Sequence, residues 1–178
     1  MRRILIDNRE TELNKVCYGF PWRSDAICFN FNFPEELVLL ENVGVLNGLE
    51  EIETLVIGCD LENYDFISNM VNLRQLYIYS GKEIKDVSFV EKLIKLQQLY
   101  IVGSSVTSLD GIFQLLSEKE KLHKNAYDWR ERIYYSMEGI CIDSDYPLVE
   151  AQEIVKFDIH IGEIIINQKR IRYIGEYR

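Results

Sequence analysis

A six-residue pattern recurs three times in the middle of the chain and constrains the fold more than any other feature. The segments are Ile52-Glu53-Thr54-Leu55-Val56-Ile57, Leu73-Arg74-Gln75-Leu76-Tyr77-Ile78 and Leu96-Gln97-Gln98-Leu99-Tyr100-Ile101. Each reads apolar-x-x-Leu-x-Ile, and the leucines Leu55, Leu76 and Leu99 lie 21 and 23 residues apart. Leu-x-Ile predicts a short strand with two inward side chains and an outward middle residue, because strand side chains alternate. Behind each strand, apolar residues recur every three positions. They are Tyr64, Ile67, Met70 and Leu73, then Ile84, Val87, Val90, Leu93 and Leu96, then Val106, Leu109, Ile112 and Leu115. That period predicts a 3₁₀ turn or one short helix. Counting back from Ile52, the residues Leu49, Leu46, Val43 and Leu40 keep the spacing. A further repeat is therefore expected, with its strand within 26–33 and Ile27, Phe29, Phe31 and Phe33 on one face. Phe31 lies 24 residues before Leu55, which fits the repeat.

Spacing of 20–29 residues with this pattern resembles the leucine-rich repeats. The likeness is to the short repeats, roughly 22 residues long, of bacterial internalin-type proteins and of eukaryotic phosphatase-regulator-like solenoids. It covers about residues 29–116. The resemblance implies an α/β fold: a short solenoid of parallel strands on one face, with 3₁₀ or helical segments on the convex side. Family repeats place Asn five residues after the strand leucine, where its amide bonds the turn. Here those positions hold Asp60, Gly81 and Ser104. Asp and Ser can supply a side-chain oxygen there and Gly cannot, so the repeats are degenerate.

The ends do not repeat, as expected of segments that cap an open apolar layer. The chain divides into an N-terminal cap (1–25), the repeats (26–116) and a helical and β-hairpin C-terminal appendage (117–178). The first cap holds Ile4-Leu5-Ile6 and the aromatic residues Tyr18, Phe20 and Trp22. Ser117 with Glu120, and Asp128 with Glu131, have capping-box spacing and predict two helix starts, with Gly139 as a stop for the second. Val155, Phe157, Ile159 and Ile161 alternate with polar residues and predict a strand. The segments 164–166 and 171–174, separated by Asn167-Gln168-Lys169, predict a hairpin. The strand at Ile4 is a candidate to join this β appendage.

Little in the chain points to chemistry. His123 lies among lysines and reads as a helix surface; His160 reads as the polar side of a strand. Neither has metal-ligand spacing to a cysteine or carboxylate. No phosphate-binding, metalloprotease or serine-hydrolase motif is present. Asp143-Ser144-Asp145 lacks the glycine and distal glutamate of a calcium loop and reads as a turn. The reading is therefore of a chain that is not an enzyme and uses no cofactor and no metal. Cys17, Cys28, Cys59 and Cys141 form no CxxC pair, and the start does not read as a signal peptide. Reduced thiols and a cytoplasmic location are expected.

The 178 residues carry 20 basic and 29 acidic side chains, net −9. That balance disfavours nucleic acid and anionic membranes as partners, and no small-molecule substrate suggests itself. Ten of the acids lie between Ser24 and Leu73, where there is no Lys or Arg. That segment is net −10, so the remainder is +1.

The outward row is expected to comprise Thr54, Val56 and Gly58, then Gln75, Tyr77 and Tyr79, then Gln98, Tyr100 and Val102. Tyrosine offers large contact area at small entropic cost, and concave faces are the usual contact surface of solenoids. The leading expectation is a non-catalytic module that binds another protein, one of basic charge in the sharper form. Its contacts would be Tyr77, Tyr79, Tyr100, Gln75 and Gln98, with Glu50, Glu51 and Glu53 steering the approach. The alternatives are an immunity-type inhibitor that masks a basic toxin, and an enzyme whose site forms only in three dimensions.

Overall fold

Leu55, Leu76 and Leu99 stand side by side on three adjacent parallel strands. In the computed structural model, which describes residues 2–5, 26–29, 38–41, 52–58 and 60–173, these are β4 (Thr54–Ile57), β5 (Gln75–Ile78) and β6 (Gln98–Ser104). Leu55 pairs with Leu76 and Leu76 with Leu99; Ile57, Ile78 and Ile101 form the next row. All six side chains are buried, each contributing roughly 1.5–3 kcal/mol through apolar burial. The residues with three-residue spacing behind the strands are buried as well. They sit on and around 3₁₀ helices at Asp65–Asn69, which holds Ile67, and Ser88–Val90, which holds Val90, and in the third segment a true helix, α1 (Asp110–Asn125), holds Ile112 and Leu115.

The sheet extends on both sides. Its strand order is β2-β4-β5-β6-β7-β8-β9, with β2 at Ala26–Phe29, β7 at Met137–Ser144, β8 at Ile161–Ile166 and β9 at Lys169–Tyr173. All pairs are parallel except β8 with β9, so the fold is a mixed α/β sheet, open rather than closed. Ile140 continues the row of Leu99, and Ile164 continues that of Ile140. A second, two-stranded parallel sheet joins β1 (Arg2–Leu5) to β3 (Val38–Glu41).

Several expectations change. In β2, Ile27 rather than Phe31 faces Leu55; Phe31 and Phe33 lie outside the described residues, as do Val43, Leu46, Leu49, Tyr18, Phe20 and Trp22. Leu40 is in a strand, and the Ile4 strand pairs with it rather than with the C-terminal hairpin. The Ser117–Glu120 signal is interior to α1. That helix starts at Asp110, whose N–H is met by Ser108 Oγ at 3.1 Å, because Ile112, Leu115, Leu116 and Lys119 form its buried face. Gly111 is buried where a Cβ would come within 2.3 Å of the Val87 carbonyl oxygen, so glycine lets α1 approach the preceding layer.

The Asp128 signal does open a helix, α2 (Trp129–Tyr135), with the carboxylate accepting from the N–H groups of Arg130 and Glu131. Gly139 does not end it; α2 stops at Tyr135 and Gly139 lies within β7. The 155–161 alternation is not a strand. Val149–Lys156 is a 3₁₀ helix, because Leu148, Ala151 and Ile154, three apart, are the residues that bury. The hairpin forms, with Asn167 and Gln168 at φ 49° and 61°, the left-handed pair that a two-residue turn requires.

Candidate functional site

Alternation along the strands leaves one face of the sheet open, and its middle row is aromatic. Tyr77 pairs in register with Tyr100, and Tyr79 completes a mutual cluster. Ring centroids are 6.3 Å apart for Tyr77–Tyr100, 6.5 Å for Tyr77–Tyr79 and 5.5 Å for Tyr79–Tyr100. Tyr79 is 54% exposed. Contacts at these distances are favourable beyond the area they bury, so the rings hold one another in place before anything binds.

Beside the aromatic row runs a polar ladder. Thr54 Oγ1 donates to Gln75 Oε1 at 3.1 Å, and Gln75 Nε2 donates to Gln98 Oε1 at 3.3 Å. The Tyr77 hydroxyl also donates to Gln98 Oε1, while Gln98 Nε2 donates to Glu138. Gln75 and Gln98 are thereby fixed in orientation. Thr54 stands in the outward row as expected, but it is covered there and only 5% exposed.

The expected site residues are only partly brought together. Tyr77, Tyr79, Tyr100, Gln75 and Gln98 converge. Glu53 lies at the strand entrance, where it pairs with Arg74 at 3.4 Å, which offsets its charge. Glu50 and Glu51 lie outside the described residues.

The sequence pattern gives no sign of two carboxylates, Glu138 and Glu163, and a shallow cleft at the far end of the open face, and it reads a third carboxylate there, Asp143, as a turn. Register continues Gln98 to Gly139 to Glu163, and Tyr100 to Cys141 to Ile165. Because Gly139 has no side chain, a gap opens between Gln98 and Glu163. It forms a cleft of about 250 Å³ lined by Tyr77, Tyr100, Glu138, Cys141, Glu163 and Ile165, among others. Asp143 lies two residues beyond Cys141, near the end of β7 rather than in a turn.

The surroundings carry a negative field. Burial, then Tyr79 and Glu138, raises the pKa of Tyr77; burial, then Cys141, Tyr79 and Asp143, raises that of Tyr100. Burial followed by Asp143 and Glu163 pushes the Cys141 thiol up. A thiol so placed stays protonated at neutral pH and makes a poor nucleophile. His123 lies on α1 and His160 just before β8. Among the described residues, no group of three or more His, Cys, Asp or Glu side chains could hold a metal ion. Among them, too, no helix is long and apolar enough to cross a membrane.

Comparison of the chain with protein-family models, curated proteins and solved structures found no match.

Proposed function

We propose that this chain is a non-catalytic protein-binding module: a short, degenerate leucine-rich-repeat solenoid that recognises its partner through the open, concave face. In support of the repeat reading, the hexads pair in register and the convex residues bury with a period of three. In further support, side chains at two of the three positions five residues after the strand leucine bond to the next segment. Asp60 accepts from Ser80 Oγ at 2.8 Å and from the Lys82 N–H at 3.0 Å. Ser104 Oγ donates to the Asp143 carbonyl at 2.9 Å.

The observation that carries the binding reading is the tyrosine cluster, pre-packed on the sheet with Tyr79 exposed and Tyr77 and Tyr100 half-buried beside it. Aromatic anchors held in this way lose little entropy on binding. We take the compartment to be the cytoplasm, in keeping with the free thiol at Cys141. The second reading, an inhibitor that masks a basic toxin, draws on the carboxylates Glu138, Asp143 and Glu163 beside the tyrosines and on the net charge of −9.

The test is to pan a display library of random peptides against the full chain, then measure enriched peptides against a Tyr77→Ala, Tyr100→Ala double variant. We expect affinity to fall about 30-fold or more, equivalent to roughly 2 kcal/mol. Peptides that bind both proteins equally would overturn the reading.

A further inference from the structure

The cleft over Gly139 has a composition that a generic contact surface does not need. Its lining combines the aromatic rings of Tyr77 and Tyr100, the less polar Cys141 and Ile165, and two carboxylates, Glu138 and Glu163. Aromatic faces attract cations, and a planar guanidinium both stacks on a ring and bonds carboxylates in a fork. Glu163 already forms an ion pair with one guanidinium, that of Arg170 at 2.7 Å on the neighbouring strand, with its Oε1 left without a hydrogen-bond donor among the described residues. No Lys, Arg or His among the described residues forms an ion pair with Glu138 or Asp143. Of the two carboxylates that line the cleft, Glu163 thus has a cation partner, while Glu138 is met only by the neutral amide of Gln98 among the described residues. The cleft volume of about 250 Å³ leaves room for one long side chain.

We propose that this cleft seats an arginine side chain of the bound partner, with its stem along Tyr100 and its guanidinium between Glu138 and Glu163. The proposal rests on the reading of the open face as a protein-binding surface, and it specifies the partner's chemistry: an exposed arginine within reach of an apolar or aromatic segment that packs on Tyr77 and Tyr79. The tyrosines supply contact area. The carboxylates select charge, and they would reject a neutral side chain of the same shape because their desolvation would then go uncompensated.

The test uses acetyl-arginine-amide and its neutral isostere acetyl-citrulline-amide as probes, titrated into the isotope-labelled full chain. Amide shifts are read by NMR. Arginine is expected to move the amides of Gly139, Cys141 and Glu163 with saturation in the millimolar range, and citrulline at least tenfold more weakly. Gly139→Leu should abolish the response. A Cβ at position 139 meets only the Glu163 carbonyl, at an ordinary 3.8 Å, so the larger side chain projects into the cleft. Glu138→Gln, which changes no shape, should weaken it several-fold and guards against misfolding of the leucine variant. Equal shifts with citrulline, or no shift at these amides, would overturn the proposal. If peptides need the tyrosines but arginine leaves Gly139 unmoved, the cleft assignment fails alone. If arginine binds but selected peptides ignore the tyrosines, the wider reading fails instead.

Discussion

The stretch 52–104 and the stretch 137–166 build the same sheet from different sequences. In the first, each strand is announced by a leucine hexad at 21- and 23-residue spacing. In the second, Ile140 and Ile164 take the leucine's place, and 41 residues separate Leu99 from Ile140 because α1 and α2 are inserted between them. Yet all five side chains stack in one buried row. The difference teaches that register is held by burial of alternate residues on one face, whatever apolar residue provides it, and that the insertion preserves the pairing from Gln98 to Ile101, with a register shift only beyond it, between Ile101 and Ser104.

If the two regions share one core, damage to either should be felt by both. Leu76→Ala and Ile164→Ala each remove a fully buried side chain, and each is expected to cost about 2–5 kcal/mol. Denaturant unfolding should show one shifted transition for either variant. Two transitions, only one of them moved, would mean two separate cores.

Gly111→Ala probes the contact between α1 and the first region. Its Cβ would collide with the Val87 backbone, so a loss of about 1–3 kcal/mol is expected from the forced shift. A melting temperature equal to the parent's would show that the helix is free to move away.

Lys119, on α1, ties the first region to α2, the helix that leads into the second. It is fully buried, and its Nζ donates to the Ile94 carbonyl at 2.8 Å and the Tyr135 carbonyl at 3.3 Å. Burial lowers its pKa to about 7, against about 10.4 in the unfolded chain. Between those values the unfolded chain holds a proton that the folded chain lacks. Stability should therefore rise with pH from about 7 to 10, by up to about 1.4 kcal/mol per unit, with the penalty fully present below pH 7. In Lys119→Met the two carbonyls lose their donor, so absolute stability is a poor readout. The difference in slope between variant and parent is the informative one, and equal slopes would contradict the account.

The smallest effect is expected at Asp60. Asp60→Ala removes two hydrogen bonds to the next turn and should cost about 1 kcal/mol, visible as a drop of a few degrees in melting temperature.

Much of the first region was legible because the hexads state strand, register and outward residues together. Tyr77 opposite Tyr100 follows from the alignment alone. The second region was obscured where two periods compete. Between Leu148 and Ile161, alternate residues suggest a strand, while Leu148, Ala151 and Ile154 carry the same three-residue period as the earlier convex segments, and that period decides what is buried. The Gly139 cleft was illegible for a related reason. Glu138, Cys141, Glu163 and Ile165 meet only because β7 pairs with β6 and β8 in turn pairs with β7, and no local pattern states that. The acidic run before Leu73 drew attention instead, although Glu53 within it is paired to Arg74.

The most direct measurement asks whether one partner reads both regions at once. A peptide enriched by panning should be titrated into the labelled full chain, with amide shifts followed across the sheet. The account predicts that Tyr77, Tyr79 and Tyr100 on one side of the β6–β7 seam, and Cys141, Glu163 and Ile165 on the other, respond together with a single dissociation constant. Shifts that stop at the seam, or that gather on the 3₁₀ and helical side, would contradict it.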